Sequence, residues 1–261
     1  MTFSHATAAD RAELIRLWMD CFGDAEDYVR LYADHSFAPE RVFVLRQTQI
    51  AAMCVSFPVT YLSEEGDERQ GAYLYAVCTR PDQRGKGLCR SLMRQTEEML
   101  RTQDCTFTCL KAASPALTAM YERMGYRTSL TNREYNVSAA GASPACPFNM
   151  EAVSPERYYA LRQCALRGGF IDYAPDVLAH QARLGQLLCI DGGNAIAATE
   201  RFGNTVMLKE YLGDETLLPS LAERLGVNAL TVRMPGDTPF AMAKSLTDAP
   251  EPAGYFAFAF D

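Results

Sequence analysis

The sequence predicts an α/β chain built as two successive units, and three observations predict it. Strand-like runs rich in β-branched and aromatic residues alternate with segments whose apolar residues recur at helical spacing. A stretch of small residues with two prolines, SAAGASPACP at 138–147, interrupts this alternation near the middle of the chain. Beyond it the order of elements partly repeats. The expected architecture is a mixed, mostly antiparallel sheet flanked by helices, followed by a second α/β unit of similar size. The expected division is 1–137, a linker at 138–149, and 150–261.

Each element has its own signal. In AADRAELIRLWMDC, Leu14, Ile15, Trp18 and Met19 share one helical face, and residues 26–36 suit a second short helix. RVFVLRQ and QIAAMCVSFPVTYL read as neighbouring strands, SEEGDERQG as a turn and AYLYAVCT as a strand. Helix 88–101 follows with Leu88, Leu92 and Met99 on one face, then the strand DCTFTCLKA. SPALTAMYERMG has the grammar of a capped helix, with Ser114 as cap, Pro115 in the first turn and Gly125 as the stop. YRTSLTNREYNV returns as extended chain. After the linker, SPERYYALRQCAL and APDVLAHQARLG read as helices. GQLLCID, NAIAATERFG and NTVMLKEYL read as strands of one antiparallel sheet, ETLLPSLAERLG as a helix broken at Pro219, and ALTVRMP and GYFAFAF as closing strands.

With 261 residues, 48% hydrophobic and 22% charged, the chain builds a sizeable core. A formal charge of −7 argues against general nucleic-acid binding and leans toward a cationic small substrate. No run reaches the length of a membrane-spanning helix, and the first residues are not an apolar signal segment, so no membrane partner and a cytoplasmic location are expected. The nine cysteines form no CxxC pair and read as free thiols. His5, His35 and His180 lack ligand spacing with them, so no metal is assigned.

The chemistry concentrates in TRPDQRGKGLCRSLM, residues 79–93. A helix starting near Gly87 leaves its first amides without internal partners. Gly85 and Gly87 remove side chains and permit unusual backbone angles, and Arg84 and Lys86 add positive charge. Such a helix mouth suits a pyrophosphate; the same residues also suit a solvated basic turn. The stretch is not GxxxxGK[ST], and the preceding strand does not run into GxGxxG, so the triphosphate loop and the dinucleotide fingerprint are excluded. The ligand class left is a pyrophosphate with a long remainder lying beside AYLYAVCT. In the second unit LGDE occupies the equivalent place and is acidic.

AVCTRPDQRGKGLCRSLM resembles the acetyl-coenzyme A loop of the GCN5-related N-acetyltransferases (GNAT), and SPALTAMYERMGY resembles the motif that follows it there. The family pattern R/Q-x-x-G-x-G/A falls on Arg84, Gly85, Lys86, Gly87, Leu88 and Cys89, departing only at Cys89, where the family has Gly or Ala. The resemblance implies a GNAT fold over about 5–137 and acetyl-CoA as acyl donor. It implies pantetheine contacts from the backbone of Val77, Cys78 and Thr79, a coenzyme contact from Ser114 where the family often has asparagine, and Tyr121 as general acid toward the coenzyme sulfur. The tandem order is similar to the first two domains of bacterial enhanced-intracellular-survival acetyltransferases, which implies that 150–261 is a degenerate GNAT-like domain without a coenzyme loop.

The reaction so implied is direct acetyl transfer to a primary amine of a small molecule. Acetylation of a peptide or protein amine, and non-catalytic acyl-CoA binding, are the alternatives. No general base stands out: strand 72–79 carries no Glu, His or Asp, and Glu64, Glu65, Asp67 and Glu68 read as a solvated loop. The terminal carboxylate of Asp261 is a weaker candidate by resemblance. Tyr73 and Tyr75 share a strand face, and Trp18, Phe22, Phe37 and Phe57 are candidates for an acceptor cleft, although core packing is their ordinary role. The apolar closing run YFAFAF leaves room for a homodimer through a sheet edge.

Overall fold

The computed structural model of the chain describes residues 1–140 and 148–260, so 141–147 of the expected linker, and Asp261, lie outside the described residues. By packing, the chain divides into two units. One comprises Met1–Thr60, Arg69–Arg127 and Met242–Glu251; the other comprises Tyr61–Glu68, Thr128–Ala241 and the residues from Pro252 onward. The sequence pattern places everything after residue 150 together, whereas Met242–Glu251 packs within the first unit.

In the first unit, strands β1 (Thr2–His5), β2 (Val42–Arg46), β3 (Ile50–Leu62), β4 (Glu68–Thr79) and β5 (Phe107–Leu110) lie side by side in that order. The pairings β1–β2 and β2–β3 are antiparallel, and β4–β5 is parallel. Met242–Ser245 completes the row, antiparallel to β5. Helices α1 (Arg11–Phe22) and α2 (Glu26–His35) pack on one face, and α3 (Leu88–Arg101) and α4 (Pro115–Glu122) on the other. Alternation along the strands sets both faces. Phe43 and Leu45 of β2 stand opposite Cys54 and Ala52 of β3 and join Ala72, Leu74, Leu92, Met93 and Tyr121 in one core. Val42, Met53 and Val55 point the other way, toward Trp18, Val29 and Tyr32.

β1 was not expected from its few residues; pairing with β2 makes it a strand. The start of α1 is held by Asp10, which accepts from the Thr7 amide at 2.7 Å and the Thr7 hydroxyl at 2.8 Å. Arg46 at the end of β2 grips the same carboxylate through two bonds of 2.8 Å. Arg46 is the main reason the Asp10 carboxyl titrates well below the usual carboxylate range. A lowered folded pKa means that the contribution is complete above the unfolded value of 3.8 and vanishes as acid protonates the group. Asp10→Asn is expected to cost about 2 kcal/mol at neutral pH, the scale of charge-assisted hydrogen bonds. In urea unfolding, the gap between wild type and variant should close between about pH 4 and pH 2; a gap independent of pH would contradict this.

In the second unit, β6 (Arg127–Ser138), β7 (Met150–Ala152), α5 (Pro155–Ala165), β8 (Phe170–Tyr173), α6 (Pro175–Leu184), β9 (Gly185–Ile190), β10 (Ala195–Phe202), β11 (Thr205–Leu212), α7 (Leu218–Arg224), β12 (Ala229–Ser245) and β13 (Gly254–Tyr255) follow one another. β7, β9, β10, β11 and β12 are neighbours in that order, antiparallel up to β11, with β11 and β12 parallel. β1 to β5 share this strand order, with a helix again joining the parallel pair at its end. Around Leu208, Tyr211, Leu221 and Val232 the unit has a core of its own. Pro219 sits in the first turn of α7 rather than breaking a longer helix. β12 runs far past the expected ALTVRMP, and only its last residues belong to the first unit. Phe256–Phe260 are buried but lie outside the strand β13. Among the described residues no helix is long and apolar enough to cross a membrane.

Candidate functional site

β4 carries the site because its regularity fails at one residue. Tyr73 and Tyr75 face the α1 side, where they stack with Phe57 at 6.4 and 6.0 Å, while Ala72 and Leu74 face α3. Ala76 then takes φ +48°, in the left-handed region that alanine rarely adopts. The alternation slips by one residue there, so Val77 rather than Ala76 packs toward the α3 core, and Cys21 Sγ at the end of α1 donates to the Thr79 carbonyl at 3.4 Å.

The same strand parts from its neighbour. The parallel register with β5 runs from Gly71↔Phe107 to Tyr73↔Cys109, whereas β4 continues to Thr79. The edge of Leu74–Thr79 therefore extends beyond that pairing. An extended molecule with amide groups fits beside such an edge as an added strand does. Near its end the Thr79 hydroxyl oxygen is buried without a hydrogen-bond partner among the described residues, a polar group that costs free energy until something bonds to it.

From Thr79 the chain passes through a short 3-10 turn, Pro81–Gln83, into the loop the sequence singled out. Gly85 and Gly87 both adopt left-handed backbone, φ +77° and +75°, and Gly87 caps α3. A Cβ added at either would meet nothing within 4 Å, so conformation rather than crowding requires glycine here. Arg84 Nε donates to the Thr79 carbonyl at 3.2 Å, and Lys86 Nζ donates to Gln83 at 2.9 Å. Neither cation has a carboxylate partner among the described residues. The free amides of the first turn of α3 and two unneutralised cations thus converge on one exposed loop.

Tyr121, on α4, lies in the core cluster with Leu92 and Met93, its ring 5.8 Å from that of Tyr126. Burial, with the neighbouring Cys89, Cys54 and Cys78 adding to it, raises its pKa, so the phenol keeps its proton at neutral pH. Tyr121 thus sits beside both the first turn of α3 and the bulged strand. Cys89 is half-buried, and burial raises its pKa as well. The Ser114 hydroxyl accepts from the Leu117 amide at 3.3 Å; it caps α4 and holds in place the helix that carries Tyr121.

On the opposite face of β4, Trp18 meets Tyr75 at 5.3 Å and Tyr32 at 5.2 Å, and donates from Nε1 to Asp24 at 2.8 Å. The hydroxyls of Tyr28 and Tyr75 are 3.2 Å apart. Trp18 and Phe57 are buried, Phe37 lines a cavity beneath α1 and α2, and Phe22 is exposed. Glu64, Glu65, Asp67 and Glu68 are exposed at the β3–β4 turn. Sequence reasoning missed Ala76, Cys21, Asp24 and Tyr28. An alanine inside a strand run carries no mark of positive φ, and the other three gain meaning only from contacts across the fold. Among the described residues no group of three or more His, Cys, Asp or Glu is placed to hold a metal ion.

Residues 2–129 match the family model described as an acetyltransferase (GNAT) domain. Among solved structures the chain is similar to a GCN5-related N-acetyltransferase from Anabaena variabilis, with TM-score 0.72 and 17% identity over 94% of this chain and 73% of that one. It is similar to Eis1 from Mycobacterium abscessus, with TM-score 0.68 and 11% identity over 94% and 74% of the two chains. A tandem GNAT protein from the clavulanic acid biosynthesis pathway matches with TM-score 0.54 and 11% identity over 95% and 99%. No curated protein matches the sequence. The chain has the GNAT acetyltransferase fold, a mixed sheet with flanking helices; at these identities the structural likenesses concern the fold alone.

Proposed function

We propose that the chain is an acetyl-CoA-dependent N-acetyltransferase acting on a primary amine of a small molecule, with the coenzyme bound by the first unit. One observation carries the reading. A strand bent at Ala76, with an edge extending past its neighbour, leads directly into two left-handed glycines at the mouth of α3. The residues present fit the donor: the amides from Gly85 to Cys89 suit a diphosphate, and the partnerless Thr79 hydroxyl and the backbone of Val77, Cys78 and Thr79 suit an amide-bearing arm.

When bound, acetyl-CoA supplies an acyl group activated as a thioester. This chain's residues do the rest. Arg84 and Lys86 neutralise the diphosphate charge, and the helix mouth fixes its position. The backbone of Val77–Thr79 would supply an N–H to the thioester carbonyl oxygen, where charge develops. Tyr121, kept protonated by burial, holds at its hydroxyl the proton that a departing thiolate needs. Ser114 is a positioning residue through its cap on α4. On the α1 side, Asp24 beside the Trp18 ring suits a cationic amine.

The second unit is a degenerate copy of the same fold. The shared strand order of β7 to β12 and the likeness to a tandem GNAT protein support this. Its junction between β11 and α7 carries Asp214 and Glu215 in place of the basic glycine loop, and Glu215 is already engaged by Arg133 at 2.6 Å and Tyr135 at 2.5 Å.

Calorimetry with acetyl-CoA, and thiol release against amino sugars, polyamines, amino acids and short peptides, test the proposal. Tyr121→Phe should lower kcat about 10–100-fold while leaving coenzyme affinity within about twofold. Absence of coenzyme uptake by the folded chain removes the proposal, and unchanged turnover in the variant removes the acid role.

A further inference from the structure

The end of α1 and the start of α2 set an aromatic cluster against β4. Trp18, the chain's one tryptophan, is its floor, 3% exposed, with its ring 5.3 Å from that of Tyr75 and 6.0 Å from that of Phe22. Phe22, 46% exposed, carries the cluster out to the surface, and Asp24, Tyr28 and Tyr75 are half-buried between. Polar groups are few there and mostly engaged. Trp18 Nε1 donates to Asp24 Oδ2 at 2.8 Å, and the Tyr28 and Tyr75 hydroxyls lie 3.2 Å apart, bonded to each other. Among the described residues Asp24 Oδ1 accepts no hydrogen bond and Asp24 has no ion pair, so a carboxylate fixed by an indole keeps one oxygen for a cation. Cys21 Sγ donates to the Thr79 carbonyl at 3.4 Å, the same oxygen that Arg84 Nε reaches at 3.2 Å, which ties this end of α1 to the last residue of β4.

We propose that this cluster recognises the acceptor and that the acceptor is an arylalkyl amine, its primary ammonium held by Asp24 Oδ1 and its aromatic body laid against Phe22 and Tyr75. An alkyl amine is protonated near neutral pH, as the lysine side chain is, and a fixed carboxylate among aromatic rings attracts that cation. The rings of Phe22 and Tyr75 take the apolar body out of water, and a site of this composition, apolar with one placed charge, orients a ligand by that charge. An amino sugar fits the same place badly. Its hydroxyls leave water for a surface whose two phenols already bond to one another, and they go unpaired. A polyamine brings charge but no aromatic body to lie on the rings. Tyr75 stands two residues before Val77, so the amine is collected on the stretch of β4 read above as the coenzyme's bed. The role as acceptor site rests on the proposed function; the capture of the amine does not.

The test uses the full chain, with binding read from the fluorescence of Trp18. The probes are phenethylamine, phenethyl alcohol and glucosamine, each titrated with and without coenzyme A. Phenethylamine should change the emission saturably and bind at least about tenfold more tightly than either other probe. Asp24→Asn keeps an oxygen for Trp18 Nε1; it should weaken the amine at least about tenfold and leave the alcohol within about twofold, a difference that a merely structural role would not produce. Phe22→Ala, at an exposed position, should weaken both. No emission change with phenethylamine in either condition, or glucosamine bound more tightly, overturns the site; equal loss of amine and alcohol in Asp24→Asn overturns the role of its charge. Thiol release from acetyl-CoA then separates the two readings. A kcat/KM at least about tenfold higher for phenethylamine than for glucosamine and spermidine supports the acceptor class, and the reverse order overturns it while the acetyltransferase stands. Phenethylamine binding without any coenzyme uptake overturns the proposed function and leaves the amine site standing.

Discussion

A fragment comprising residues 1–137 is expected to show no cooperative thermal transition. Such a fragment ends where the sequence pattern suggests a boundary, yet it lacks the strand Met242–Ser245 that pairs with β5. Met242 and Leu246 are buried in the first unit's core, and losing two such side chains forfeits about 3–6 kcal/mol. The polar losses compound this. Glu97 of α3, 5% exposed in side chain, accepts from Lys244 Nζ at 2.5 Å and from the Tyr126 hydroxyl at 3.0 Å, which in turn lies 2.9 Å from Thr108. Without Lys244 the carboxylate is a buried charge lacking its cation, a change worth about 3–5 kcal/mol. Arg101 also loses the Leu246 carbonyl and Arg69 the Pro250 carbonyl. Together these match the whole stability of an ordinary domain, about 5–15 kcal/mol. Circular dichroism melts of the fragment, with and without residues 242–251 joined through a flexible linker, check the expectation. A sharp transition in the bare fragment would refute it.

The second large effect is expected at Arg162 in the second unit. Its side chain is wholly buried, donating to Glu210 at 3.0 Å, to Asp172 at 2.5 Å and to the Ile171 carbonyl at 3.0 Å, while the Tyr158 hydroxyl also donates to Glu210. Burial alone would lower the Arg162 pKa, but Glu210 and then Asp172 outweigh it and keep the guanidinium charged. Arg162→Ala removes the cation shared by two buried carboxylates and is expected to cost at least about 3–5 kcal/mol. The sign of its pH dependence follows. Buried carboxylates without a cation titrate above their unfolded values, so the variant is least disfavoured in acid and loses stability as pH rises through the folded pKa values. Urea midpoints from pH 5 to pH 8 should therefore diverge between variant and wild type. A constant difference would show that the carboxylates do not act through charge.

Local signals in the chain were informative where a rule acts over a few residues. Ser114 and Ser154 cap the helices expected of them, Pro115 and Pro155 sit in first turns, and α3 begins where the glycines stop. The alternation in RVFVLRQ and the following strand predicts their two faces, and the pairing of Phe43 with Cys54 keeps both on the same one. Other features had no local mark. FIDY is a strand because β13 offers it a partner, and TFSH because β2 does. AMAKS reads as the end of its own unit, yet its hydrogen bonds and its lysine are taken up by β5 and α3.

The sequence alone determined what short-range stereochemistry controls: helix starts and stops, the period of each strand, and a basic glycine loop at a helix mouth. Tertiary structure decided what depends on neighbours: the slip at Ala76, the extent to which β4 and β5 pair, the approach of Cys21 to the Thr79 carbonyl, and the unit to which Met242–Glu251 belongs. The reason is physical. A cap or a turn is satisfied by atoms a few residues away, whereas a strand edge or a buried charge is satisfied only by whatever the folded chain brings beside it.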